Sequence, residues 1–182
     1  SNNTFICYNF HNLGQIMLTD THCHLDLNKF DEDRDAVIRR AVDAGVNKML
    51  VPGLNFESSQ TAVDLAVSHP NLFAAVGFHP TDIGKMTPES LEKLGKLAEH
   101  PKVVAIGEIG LDYYWVKEPE QRSIQRKKLL PLLELAESVN KPVILHLREE
   151  NDAESGEATK DLLEILDGWH EKLFHLNHLL YF

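Results

Sequence analysis

Imidazole and carboxylate side chains stand at regular places along this chain, where short apolar runs end. His22 and His24 are two residues apart after the first run. Because alternate residues of an extended segment point to the same side, both imidazoles can reach one metal ion. Glu108 follows the fourth run, and His146 stands near the end of the fifth. Histidine and glutamate suit Zn²⁺, Mn²⁺ and similar ions, so these four residues are predicted to bind metal.

Five short apolar runs are predicted as strands of a parallel sheet. They are rich in Val, Ile, Leu and Ala and barely alternate with polar residues, as strands covered on both faces do. Amphipathic stretches predicted as helices separate them. The predicted strands span residues 16–19, 49–51, 72–76, 103–106 and 143–147, and the helices span 33–44, 58–68, a third that begins at 87–88, and 121–139.

This alternation of strand and helix predicts an α/β fold with a parallel sheet, either doubly wound or closed into a barrel. Neither G-x-G-x-x-G nor G-x-x-x-x-G-K-[ST] follows the first strand, which disfavours a nucleotide-binding open sheet. In a (β/α) barrel the active site lies at the carboxyl ends of the strands, where the histidines and the glutamate fall. A complete barrel takes about 250 residues and eight units. The 182 residues therefore predict an incomplete TIM barrel of about five units.

The donor types favour metal-assisted hydrolysis over covalent catalysis. A carboxylate can bridge two cations, and two ions about 3.5–4 Å apart can activate water and stabilise an in-line displacement at phosphorus. No G-x-S-x-G motif is present. Cys23 stands between the two histidines, so its side chain is expected to point the opposite way, into packing.

Composition limits the partners of the chain. Hydrophobic residues make up 43% and charged residues 25%, as in ordinary globular proteins. The net charge of −10 gives no overall attraction for nucleic acid, so bound cations or a few placed basic residues must supply it locally. There is no long apolar run for a membrane span and no signal-peptide pattern in residues 1–16. Two cysteines are too few for a disulfide scaffold, so a cytoplasmic protein is predicted. No obligate protein partner is evident from the sequence.

Four motifs, in order, resemble those of the TatD-type metal-dependent deoxyribonucleases. They are T-H-C-H-L-D at residues 21–26, G-F-H-P at 77–80, G-E-I-G-L-D-Y-Y at 107–114 and K-P-V-I-L-H-L-R at 141–148. The resemblance extends over residues 17–173. It implies an amidohydrolase-like TIM barrel that hydrolyses phosphodiester bonds of DNA with two divalent metal ions (Zn, Mn or Mg). DNA would be engaged through those ions.

The resemblance also implies roles for individual residues. Glu108 would bridge the two ions and act as the catalytic carboxylate, with the histidines named above as the other metal ligands. A second group of residues would bind substrate phosphate or shape the site. This substrate-binding group consists of His79, Asp112, Tyr114 and Arg148.

The chain departs from the family near its C-terminal end. The family continues to a histidine in a segment like G-V-x-H-x-F-S-G and to an aspartate in a segment like E-T-D-x-P, and neither segment is present. His178 falls near the first of these positions, but its neighbours do not match. We therefore predict a partial barrel over residues 17–173, between an unmatched extension (1–16) and an unmatched tail (174–182). Such a fragment is expected to expose sheet edges and to lack the aspartate that would bind metal and orient the attacking water.

Two alternative functions stay open. The same ligands could hydrolyse an amide, lactone or phosphoester of a small molecule. The absence of a lysine at the ends of the fourth and fifth strands disfavours this alternative, because amidohydrolases usually carry a carboxylated lysine there and Glu108 takes its place. The other alternative is a chain that binds metal without catalysis.

Overall fold

A computed structural model describes residues 17–173 and 179–180. Its sheet has six strands in sequence order, and each strand pairs in parallel with the next one along the chain. The strands are β1 (Leu18–Asp20), β2 (Val46–Pro52), β3 (Leu72–Val76), β4 (Val103–Asp112), β5 (Val143–Arg148) and β6 (Leu179–Leu180). The first five confirm the predicted parallel strands, and β6 is a short addition in the tail.

A helix connects each strand to the next, as parallel pairing requires. The helices are α1 (Arg34–Asp43), α2 (Phe56–Ser68), α3 (Pro88–Ala98), α4 (Pro119–Ser138) and α5 (Glu157–Leu173), with short 3₁₀ helices at Asn28–Phe30, Ile83–Lys85 and Glu150–Asp152. This order confirms the predicted alternation. None of the helices in the described ranges is long and apolar enough to cross a membrane.

Local capping explains where several helices begin and end. Thr87 accepts a hydrogen bond from the backbone N–H of Ser90, and Ser90 bonds back to the backbone of Thr87, so α3 begins with a capping box at the predicted position. Asn55 and Ser58 form the same arrangement at the start of α2. Gly45 follows α1 with a φ of 94°, a left-handed conformation that glycine adopts readily at the end of a helix.

The core lies mainly between the sheet and its helices. Along β2, Met49 and Val51 belong to the large buried cluster, which also contains residues of all five helices. Leu50 lies between them in sequence and belongs to a smaller cluster with Ala75, Ala105 and Ile144. Because strand side chains alternate between faces, the sheet is covered on both sides, as the apolar runs predicted.

The fourth strand is longer than the apolar run at residues 103–106 that predicted it. In the structure β4 continues to Asp112, and its second half pairs with β5 from Ile109 to Asp112 after an irregularity in the register. Glu108 therefore lies within the strand and not beyond it. The predicted division of the chain at residues 16 and 173 stays a prediction; residues 1–16 and His178 are outside the described ranges.

Candidate metal centre

The extended segment after β1 brings the two predicted histidines together. The carboxylate of Asp20 accepts a hydrogen bond of 3.1 Å from the backbone N–H of His22, which fixes the start of the segment. The Nε2 atoms of His22 and His24 lie 3.2 Å apart. Both rings therefore face the same point, as the two-residue spacing predicted.

Cys23 points away from this pair, as expected. Its thiol packs against the hydrophobic core and donates a hydrogen bond of 3.3 Å to the carbonyl oxygen of Leu50. Burial raises the pKa of the thiol well above its usual range, and the carboxylates of Asp20 and Asp26 add to the effect. A partly buried, protonated thiol is a poor nucleophile, which agrees with the preference for metal-assisted chemistry.

Glu108 joins two groups of donors with its two carboxylate oxygens. Oε2 lies 3.3 Å from Nε2 of His22, and Oε1 lies 2.8 Å from Nδ1 of His146. The residue is only 8% exposed. Burial alone would raise the pKa of Glu108, but the hydrogen bonds to His146 and His22 outweigh it and hold the pKa well below its usual range. A buried carboxylate thus stays ionised between imidazoles.

The second group of donors is formed by His79, Asp112 and His146. Nε2 of His146 lies 3.0 Å from Oδ2 of Asp112, and Nδ1 of His146 lies 3.2 Å from Nε2 of His79. Burial tends to lower the pKa of His146, but Asp112 and Glu108 raise it to about 9. Burial, followed by the nearby His146, lowers the pKa of His79 to about 4. The site therefore favours the protonated form of His146 and the neutral form of the adjacent His79.

Two sets of three side chains could each hold a metal ion. In each set, one ligand atom per residue lies within 4.8 Å of the others: His22, His24 and Glu108 form the first set, and His79, Asp112 and His146 form the second. Both sets face an open cleft of about 380 Å³. The residues that line this cleft are His22, His24, Leu54, His79, Thr81, Glu108, Asp112, Trp115, His146 and Arg148.

Close contact between β4 and β5 brings the two sets together. A Cβ added at Gly110 would lie 1.9 Å from the carbonyl oxygen of His146, and one added at Gly107 would lie 2.6 Å from Cβ of Ile144. Only glycine fits such an approach of two backbones. Gly107 and Gly110, on either side of Glu108 in the sequence, therefore allow His146 to reach the carboxylate of Glu108.

The predicted substrate-binding residues divide between the cleft and its support. His79, Asp112 and Arg148 line the cleft, and Tyr114 is not among the lining residues. The guanidinium of Arg148 lies 3.8 Å from the centre of the Tyr114 ring and bonds to the carboxylate of Asp152 at 2.7 Å. The ring of Tyr114 thus packs against the guanidinium of Arg148, which itself lines the cleft.

Gln125 is a site residue that the sequence analysis missed. It is buried, and its side-chain amide donates to the carbonyl oxygens of Pro80 and Asp112 at 3.2 and 3.3 Å. Its side-chain oxygen accepts from the backbone N–H of Asp112 at 3.0 Å. One residue of α4 therefore holds the end of β4 and the loop after His79. The available signal was a polar residue one turn before Leu129 on the buried side of the helix.

Parallel strands joined by helices, with imidazoles and carboxylates gathered at their carboxyl ends, define a chain of the TIM-barrel metallohydrolase type. The family model described as TatD related DNase matches residues 19–178. The chain belongs to this family, which confirms the resemblance found in the motifs.

Curated relatives agree with this assignment. The uncharacterized metal-dependent hydrolase YabD of Bacillus subtilis (strain 168) is 39% identical over 150 residues, which cover 82% of this chain and 55% of YabD. The 3'-5' ssDNA/RNA exonuclease TatD of Escherichia coli (strain K12) is 34% identical over 155 residues, which cover 85% of this chain and 55% of TatD. The chain thus spans about half the length of the curated relatives it matches.

Solved structures confirm the predicted fold class. YjjV, a TatD homologue from Escherichia coli K12, matches with a TM-score of 0.64 and 41% identity over 70% of this chain and 49% of YjjV. A TatD family hydrolase from Entamoeba histolytica matches with a TM-score of 0.71 over 88% of this chain and 56% of that one. At 23% identity the second structure supports the fold alone. The described strands and helices correspond to part of a TIM barrel.

Proposed function

We propose that this chain is a divalent-metal-dependent hydrolase that cleaves phosphodiester bonds of DNA. The observation that carries the proposal is the position of Glu108, whose two oxygens face two different groups of imidazoles. A carboxylate in this position can bridge two cations, and a pair of cations suits displacement at phosphorus. Relatives named as nucleases and as metal-dependent hydrolases support the same reaction class.

The donor set fits divalent metal. His24 Nδ1 and Asp26 Oδ1 are buried, lack a hydrogen-bond partner within the described ranges, and lie 3.8 Å apart. A metal-bound histidine commonly presents its other ring nitrogen to a carboxylate, which is the relation of these two atoms when Nε2 of His24 binds an ion. His22, His24 and Glu108 would hold one ion. Glu108 and His146 would hold a second, with Asp112 and His79 beside it.

Metal ions bound here would activate a water molecule and stabilise charge on the phosphate. The residues of the chain have separate tasks. Glu108 is the catalytic carboxylate, held ionised between His22 and His146. Asp112 contacts Nε2 of His146, which leaves Nδ1 of His146 facing Glu108.

Substrate phosphate would meet His79 and Arg148 in the cleft. The low pKa of His79, about 4, leaves its ring neutral at pH 7, so it can donate a hydrogen bond but adds no charge. Arg148 supplies a permanent charge on a guanidinium that Tyr114 and Asp152 orient. The proposed substrate is DNA, and the ions would be Zn²⁺, Mn²⁺ or Mg²⁺. The predicted cytoplasmic location stays a prediction.

The test compares Glu108→Gln and His22→Ala with the wild-type chain and with Glu134→Gln, which changes an exposed carboxylate of α4. Divalent metal binding is measured by calorimetry, and hydrolysis is followed on a single-stranded oligonucleotide, an amide and a lactone. We expect metal-dependent cleavage of the oligonucleotide, normal in Glu134→Gln and reduced about 100-fold or more in the two site variants.

Other outcomes would overturn the proposal in different ways. A wild-type chain that binds no divalent ion has no metal centre of the kind proposed. Faster turnover of the amide or lactone than of DNA would make the chain a small-molecule hydrolase. Metal binding without any turnover would make it a non-catalytic metal-binding chain, and full activity in Glu108→Gln would remove the role given to this carboxylate.

A further inference from the structure

Among residues 17–169, Trp115 is the large hydrophobic residue with the highest exposed fraction. Its exposed fraction is 66%, although it follows directly after buried Tyr113 and half-buried Tyr114. Trp115 also lines the cleft that holds the candidate metal ligands. A large aromatic surface left open at the edge of a cleft indicates a place where a ligand is bound.

Hydrogen bonds hold the backbone around the exposed indole. The backbone N–H of Trp115 donates a hydrogen bond of 2.7 Å to Oδ1 of Asp112. On either side, the buried guanidinium of Arg122 donates to the carbonyl oxygens of Tyr113 and Val116 at 3.2 and 2.9 Å. The ring of Tyr114 packs edge-on against the indole, with 4.9 Å between the ring centres. The loop therefore presents a preorganised aromatic face, which lowers the entropy lost on binding.

A single carboxylate connects this face to the proposed reaction centre. While Oδ1 of Asp112 holds the backbone of Trp115, Oδ2 of the same residue lies 3.0 Å from Nε2 of His146. Asp112 therefore contacts both the backbone of Trp115 and the proposed metal ligand His146. One ligand could therefore cover Trp115 and reach the metal centre at the same time.

Cationic side chains accompany the aromatic face. The guanidinium of Arg148 lies 5.7 Å from the centre of the Trp115 ring, and the Lys117 ammonium lies 5.4 Å from the centre of the Tyr114 ring. Asp152 and Glu150 form ion pairs with these two groups. In a chain with a net charge of −10, basic groups beside an exposed aromatic ring match a ligand that has both a flat π surface and negative charge.

We propose that Trp115 is a stacking platform for an unpaired nucleobase next to the phosphodiester at the metal centre. Base–aromatic stacking with nearby basic side chains is the usual way to bind single strands without sequence preference. Bases inside a duplex are already stacked on both faces, so the platform selects single-stranded nucleic acid or a frayed end. This subsite rests on the proposed function, because it assumes that the cleft binds a polynucleotide.

The test uses Trp115→Ala and Trp115→Phe with oligothymidylate probes. One probe is intact, and the others carry a single abasic residue at successive positions. With Mn²⁺ present, Kd is measured by titration with probes whose linkages resist hydrolysis, and KM and kcat are measured on the same probes with ordinary phosphodiester linkages. Trp115 and Trp169 are the two tryptophans, and Trp169 is only 3% exposed, so quenching of the exposed emission reports contact with Trp115.

We expect Trp115→Ala to raise Kd and KM about 5- to 100-fold on the intact probe, with a smaller change in kcat. Trp115→Phe should keep most of the affinity because it keeps an aromatic face. On the probe whose abasic residue falls at the platform, the wild-type chain and Trp115→Ala should bind equally. Leu163→Ala, which changes an exposed apolar residue of α5 outside the cleft lining, is the control and should have no effect.

Several results would overturn the subsite. They are equal affinity of Trp115→Ala and the wild-type chain, a penalty that persists with every abasic probe, and failure of the wild-type chain to bind the probes. The proposed function is judged separately by hydrolysis. Binding with tryptophan quenching but without cleavage would keep the subsite and reject the hydrolase, whereas cleavage unaffected by Trp115→Ala would do the reverse.

Discussion

At the scale of single residues, the geometry of the site depends on a position without a side chain as well as on the ligands. Glu108 can meet His146 because Gly110 leaves space for the backbone of β5. Any side chain at residue 110 would overlap the carbonyl oxygen of His146, and this oxygen belongs to backbone that cannot rotate away. The glycine is therefore as necessary to the geometry as the ligands.

We predict that Gly110→Ala lowers the free energy of unfolding by about 2–4 kcal/mol and weakens metal binding, because β5 must shift to admit the methyl group. Gly168→Ala is the matched control. Gly168 lies within α5, and nothing lies within 4 Å of an added Cβ, so this change should stabilise the chain by about 0.5–1 kcal/mol. Denaturant unfolding and metal titration measure both effects. The prediction would be contradicted if both alanine variants changed the free energy of unfolding in the same direction.

At the scale of elements, α4 positions the site without contributing a ligand. Gln125 forms hydrogen bonds with both sides of the Asp112 backbone and with the carbonyl oxygen of Pro80. It therefore ties together the end of β4 and the loop after β3. Arg122, one turn earlier in α4, ties the next loop through Tyr113 and Val116. The helix thus holds three segments that carry His79, Asp112 and Trp115.

We predict that Gln125→Met lowers the free energy of unfolding by about 1–3 kcal/mol, because a buried backbone N–H and two carbonyl groups lose their partner. Activity should fall about tenfold, since both Asp112 and the loop of His79 lose their anchor. Gln121→Met, at an exposed position in the first turn of α4, should change neither quantity. Thermal unfolding and oligonucleotide hydrolysis provide the two measurements. Unchanged activity in a destabilised Gln125→Met variant would limit Gln125 to a folding role.

At the scale of the whole molecule, the net charge of −10 opposes binding of a polyanion. Basic groups near the cleft are few and already paired with carboxylates, as in the pairs of Arg148 with Asp152 and Lys117 with Glu150. If the chain acts on nucleic acid as proposed, bound divalent ions would supply most of the positive potential that attracts a phosphate backbone. The metal centre would determine binding as well as catalysis.

We predict that a chelator weakens binding of a single-stranded oligonucleotide at least about tenfold, and that excess Mn²⁺ restores it. Fluorescence anisotropy at constant ionic strength measures the change without relying on cleavage. Glu108→Gln should bind the oligonucleotide weakly in both conditions, because it cannot recover the ions. Strong binding that the chelator does not change would show that a basic surface elsewhere attracts the nucleic acid.

The sequence by itself determined the donor types and the strand ends at which they lie. His22 and His24 could be paired because extended backbone repeats every two residues, and parallel strands bring their carboxyl ends to one edge. The start of α3 followed from local capping rules. These features depend on neighbours within a few residues, so spacing alone predicts them.

Only the tertiary structure decided which donors meet and what supports them. The extension of β4 to Asp112 depends on its pairing with β5, more than 30 residues later in the chain. The two contacts of Glu108 and the hydrogen bond of Gln125 to Pro80 likewise come from segments far apart in sequence. No local period encodes such contacts, because they arise when separate strands and helices pack against one another.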